Sequence, residues 1–65
     1  MGEKKMMQIG EFCRRIWARI IVRVRAGVWS AMEGAEKWND FLDLAGLPME
    51  EPAELEARIL REAGK

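Results

Sequence analysis

Three helices in an all-α fold, at about residues 5–26, 30–45 and 52–63, are what this sequence predicts, and three observations carry that prediction. Apolar residues recur every three or four positions from Met6 to Val28, a Ser-x-x-Glu signature stands at Ser30, and Pro52 opens a stretch with glutamates early and arginines late. Each pattern has a physical cause. A stripe of that period buries one face of a helix. The Ser-x-x-Glu pair satisfies two orphan amides at a helix start. Proline at the first helical position, with charges set against the macrodipole, favours a helix with that polarity.

At 100° per residue, Met6, Ile9, Cys13, Ile16, Trp17, Ile20, Ile21, Val24 and Val28 fall within an arc of about 140°. Arg15, Arg19 and Arg23 follow one border of that arc and Arg14 and Arg25 the other, with Phe12 at its edge and Val22 as the misfit. A strand is the competing reading of Arg19 to Arg25, where Ile20, Val22 and Val24 alternate with the other residues and β-branching is dense. The helical phase runs unbroken from Met6, which favours the helix.

Gly27 suits the left-handed position just past a helix end, so a break or bend is expected there. Ser30 and Glu33 then start the second helix, with Ala31, Ala35, Trp38, Leu42 and Ala45 on its inner face and Phe41 beside them. Because the stripe stays in phase through Gly27, one helix of about forty residues is the alternative. Gly46 and Pro48 end the second helix. The third has Leu55, Ile59, Leu60 and Ala63 on one face, and its short connection folds it back on the second as an αα-hairpin.

The 65 residues make one small domain with marginal stability of its own, so a partner or self-association is the expected support. Cys13 is the only cysteine, which excludes an internal disulfide and fits a reducing, cytoplasmic setting. Arginines interrupt every apolar run well before the roughly 20 residues of a membrane span. The first residues lack the apolar core of a secretory signal, and Met6 stands where myristoylation wants Ser or Thr.

Missing residue types argue against catalysis. The chain has no His, Tyr or Thr, and one Ser and one Cys, so a nucleophile lacks its usual base and zinc or iron lacks a ligand set. No glycine-rich phosphate loop occurs, and Asp40 with Asp43 does not match a calcium loop. The glutamates at 50, 51, 54 and 56 read as helix-end electrostatics, and Cys13 as a small core residue. No cofactor, metal or small-molecule substrate is expected.

Charge is the sharper signal. Residues 1 to 27 carry seven Lys or Arg against two Glu, a balance of +5, and residues 28 to 65 carry four against nine, a balance of −5. Opposite blocks attract their complement, in the same chain, in a second copy or in another molecule. The expected function is therefore non-enzymatic: a small interaction module, such as an accessory subunit, inhibitor or antitoxin-like regulator, that binds stoichiometrically. Ile9, Phe12, Ile16, Trp17, Ile20, Val24, Val28, Trp29, Trp38 and Phe41 form the expected partner surface, with Arg14, Arg15, Arg19, Arg23 and Arg25 as its charged rim. A protein partner or an antiparallel homodimer fits that surface. Nucleic acid is an alternative partner for the five arginines. A membrane surface is another, with Trp17, Phe12 and Trp29 as anchors.

Taken as a strand, Arg19-Ile20-Ile21-Val22-Arg23-Val24-Arg25 followed by two helices resembles the ribbon-helix-helix DNA-binding family over about 45 residues. That resemblance implies a two-stranded ribbon with alternate side chains in the major groove. Two departures accompany it. Glu50, Glu51 and Glu54 stand where the family's second helix meets phosphate, and eighteen residues precede the strand.

Overall fold

A computed structural model of the chain describes the backbone of residues 2–64 and the side chains of residues 10–64. Its elements are α1 (Gly2–Arg25), α2 (Ala31–Leu44) and α3 (Pro52–Ala63), with no strand among the described residues. Arg19 to Arg25 are helical, so the strand reading, and the ribbon that goes with it, is corrected. The reason is visible in the burial of Ile20, Ile21 and Val24 together. A strand would send Ile20 and Ile21 to opposite faces, whereas a helix brings all three to one side.

Gly27 ends α1 and does not merely bend it, which also corrects the single-helix alternative. Its φ is +82°, the amide of Val28 donates to the Arg23 carbonyl at 2.9 Å, and its own amide donates to the Val24 carbonyl at 3.1 Å. These are the two bonds of a Schellman motif. Three residues later the chain restarts. The Glu33 amide donates to Ser30 Oγ at 3.1 Å and the Ser30 amide donates to Glu33 Oε1 at 3.0 Å, a complete capping box.

A second Schellman motif, at Gly46 with φ +74°, closes α2: the Leu47 amide donates to the Leu42 carbonyl at 2.8 Å. Asn39 then fixes the turn into α3. Its Nδ2 donates to the Glu50 carbonyl at 3.0 Å, and its Oδ1 accepts from the Glu50 amide at 2.9 Å. Pro52 occupies the first turn of α3, where a missing amide leaves no helical bond unmade. The short connection thus returns the chain as the expected hairpin, and α2 and α3 pack closely.

The helix α1 lies across this hairpin, antiparallel to α2, with Phe12 against Phe41 and Trp17 against Trp38. At 1.5 Å per residue α1 is about 36 Å long; the whole molecule spans 40 × 20 × 16 Å. Ile20, Ile21, Val24, Ala31, Ala35, Trp38, Leu42, Leu55, Ile59 and Ala63 make one core shared by all three helices. Gly34 lets α1 approach. A Cβ there would sit 3.0 Å from both Ile20 Cγ2 and Val24 Cγ2, and 3.4 Å from Ile59 Cδ1.

Two expected inner-face residues fall outside the core. Ala45 is exposed because the Schellman turn carries it off the helix face, and Leu60 sits at the margin of α3, more than a third exposed. Full burial of a Leu or Ile is worth about 1.5–3 kcal/mol. In a domain of this size the total margin is about 3–5 kcal/mol, so every one of the large core residues matters.

Candidate interaction surface

The apolar arc of α1 is wider than the hairpin it packs on, and its two borders meet different environments. Toward α3 the border is closed by polar contacts. Trp17 Nε1 donates to Glu62 Oε1 at 2.7 Å, and the Arg58 guanidinium lies 4.4 Å from the centre of the Trp17 ring. Arg58 Nη1 also donates to Glu50 Oε1 at 3.3 Å, while the other Glu50 oxygen accepts from Trp38 Nε1 at 2.8 Å. The two indoles meet edge to face at 5.1 Å. Both indole N–H groups are thereby satisfied, and α1, α3 and the loop between α2 and α3 are tied at one point.

Toward α2 the border is open. Phe12, Ile16, Phe41, Leu44, Ala45 and Leu47 line a groove of about 520 Å³. A second hollow, of about 370 Å³, shares Ile16, Phe41 and Leu44 and continues past Ile20 to Trp29. The floor is apolar and largely uncovered: Phe12 is 55% exposed and Leu44 is 88% exposed. Arg19, Arg23, Lys37 and Asp40 stand around the second hollow. Arg23 and Lys37 both lie over the Trp29 ring, at 5.2 and 5.6 Å from its centre.

The residues expected to meet a partner therefore separate into three groups. Ile20, Val24 and Trp38 are buried in the chain's own core, because α1 closes on α2 at Gly34 and all three helices share that core, so they are not accessible to another molecule in this fold. Phe12, Ile16, Trp29 and Phe41 converge on the open groove. Trp17 faces the closed border, and Val28, just past the Gly27 turn, is 64% exposed outside the groove. Ile9 lies outside the described side chains.

The rim divides in the same way. Arg14 lines the hollow beside Trp17 and Cys13, and Arg25 Nη2 donates to the Glu62 carbonyl at 3.0 Å, both on the α3 side. Arg19 and Arg23 border the open groove, with Arg15 one turn earlier in the same row. Among the described residues Arg58–Glu50 is the one ion pair, and both of its members belong to the acidic half. No arginine of α1 is neutralised by a carboxylate of its own chain among these residues. The α1 arginines lie beside α2 and α3 without an ion pair to either among the described residues.

Sequence reasoning overlooked Leu44, Leu47 and Lys37. For Leu44 a signal existed: it follows Phe41 by three residues, on the side of α2 away from Leu42 and Ala35, where a large apolar residue has no internal use. The Trp17–Glu62 bond spans 45 positions and has no local signature. Among the described residues no group of His, Cys, Asp and Glu is arranged to hold a metal ion, and no helix is long and apolar enough to cross a membrane. Comparison of the chain with protein-family models, with curated proteins and with solved structures gives no match.

Proposed function

We propose that this chain is a non-enzymatic interaction module that binds another protein surface stoichiometrically through the groove between α1 and α2. The observation that carries this reading is the pairing of an uncovered apolar floor, exposed Phe12 and Leu44 with half-buried Phe41, with a row of α1 arginines that find no carboxylate within the described residues. Burying that floor supplies affinity, and the arginine row selects the orientation and chemistry of what covers it. A regulator, inhibitor or accessory subunit acts in this way, and a reducing cytoplasmic setting, as the lone Cys13 suggests, goes with the proposal.

A photo-crosslinking amino acid at Leu44 tests the reading in living cells, since that side chain points into the groove without serving the core. The expected result is one discrete protein adduct that disappears when Arg15 and Arg19 are both changed to Glu. A smear, or no adduct, would overturn the reading. A second reading rests on all five arginines of α1, Arg14, Arg15, Arg19, Arg23 and Arg25, none of them ion-paired among the described residues: nucleic-acid binding along α1. It predicts duplex affinity that falls with salt at a log–log slope of about −4 for five phosphates. Absence of retention at low salt removes it.

A further inference from the structure

We infer that the occupant of the α1/α2 groove is a second copy of this chain, in a two-fold dimer whose axis runs parallel to the helices. This rests on the interaction reading above and names the partner for the same surface. The charge pattern of the face carries it. On the α1 side Arg19 and Arg23 border the groove, with Arg15 in the same row; on the α2 side Lys37 and Asp40 border it, with Glu33 in the same row and Glu36 and Asp43 exposed farther round the helix. All of these are exposed, and in neither row does a residue pair with an opposite charge among the described residues. The face is thus positive along the α1 edge, net negative along the α2 side despite Lys37, and apolar between them.

Only one way of stacking two such faces matches the edges. A two-fold axis across the helices lays α1 on α1 and sets arginine against arginine, which repels. An axis along the helices lays α1 of each protomer on α2 of the other, so both edges meet their opposites at once, as an isologous interface requires. The levels also agree. Phe12 meets Phe41 and Trp17 meets Trp38 within one chain. Arg15 and Arg19 therefore stand level with Asp40 and Glu36, and an axis parallel to the helices preserves those levels across the dimer. The result is a four-helix layer, α1 and α2 from each copy, in which Phe12, Ile16, Phe41 and Leu44 of both copies form a second core and α3 flanks it on each outer side. It also gives the arginines of α1, which pair with no carboxylate among the described residues, acidic groups to face.

Charge reversal in two complementary variants tests this. One carries Arg15→Glu and Arg19→Glu, the other Glu36→Lys and Asp40→Lys; all four positions are exposed, and circular dichroism checks that each variant keeps its helicity. The wild-type chain is expected to sediment as a dimer and each variant alone to dissociate with a Kd raised about tenfold or more. An equimolar mixture of the two should return to the dimer mass, because reversed edges match each other. Leu44→Glu should give a folded monomer that no mixture rescues. A wild-type monomer at every concentration overturns the proposal, as does a dimer indifferent to Leu44→Glu or to charge reversal. The crosslink at Leu44 separates the two failures: an adduct at twice the chain mass supports the dimer, an adduct to a different protein overturns the dimer while keeping the interaction reading, and no adduct removes both.

Discussion

The two borders of α1 begin with similar residues and end in opposite conditions. Both present an aromatic and flanking arginines: Trp17 with Arg14 and Arg25 on one side, Phe12 with Arg15, Arg19 and Arg23 on the other. On the α3 side the Trp17 indole N–H donates to Glu62 and Arg58 lies over its ring, while Glu50 accepts from Arg58 and from Trp38. On the α2 side Phe12 and Phe41 have none, and the hairpin supplies Leu44 and Leu47 without a cover. An amphipathic helix in a small bundle need not spend its whole apolar arc on its own core. What the chain satisfies internally stabilises the fold, and what it leaves open is available for assembly.

This comparison predicts that changes on the two sides have separable effects. The largest belongs to the core that both borders share. Ile59, fully buried between the helices, should lose about 2–5 kcal/mol on truncation in Ile59→Ala, enough to leave the chain largely unfolded in a thermal melt. Less severe is the loss of the closed border. Trp17→Phe keeps a ring against Trp38 but removes the indole donor to Glu62, and a loss of about 1–2 kcal/mol should appear in the urea midpoint. Retained crosslinking at Leu44 in that variant would show that the borders act independently.

Smaller again is Gly34→Ala. Alanine improves helix propensity by about 1 kcal/mol, yet its methyl meets Ile20 and Val24 at 3.0 Å. Both are β-branched and held to one rotamer in a helix, so they yield poorly, and overpacking costs about 1–3 kcal/mol. A net loss of about 1 kcal/mol is the expected outcome, and a gain would mean that α1 can retreat from α2. The smallest effect on stability is that of Leu44→Glu. It should leave the unfolding free energy of a non-associating sample within about 0.5 kcal/mol of the wild type while abolishing the dimer in sedimentation.

Helix ends were legible because local chemistry writes them: Ser30 with Glu33, Gly27, Gly46 and Pro52 act on their own neighbours, and the observed bounds differ from the expected ones by a few residues at most. Ile21 and Val22 show where periodicity sufficed, one buried and the other exposed as the helical phase requires. Partition of the stripe was not legible. The wheel sets Ile16 on the border of the arc and Ile20 inside it, but it does not reveal that the Gly34 notch draws α1 onto α2 at Ile20 while Phe12 and Ile16 are left along an open groove. Nor could spacing reveal that the arginines of α1 pass by the carboxylates of their own chain. That depends on which way the hairpin turns its acidic faces, a property of the folded object.

The placement of the three indoles gives the molecule a built-in optical readout. With no tyrosine in the chain, near-ultraviolet absorption and emission come almost wholly from tryptophan. Trp17 and Trp38, held edge to face at 5.1 Å, are close enough for their transitions to mix, so their dichroic signal disappears when the core opens. Trp29 sits apart under two cations at the margin of the groove, and its emission colour follows whatever excludes water from that site. Unfolding and assembly can therefore be followed as two separate spectral signals in one unlabelled sample.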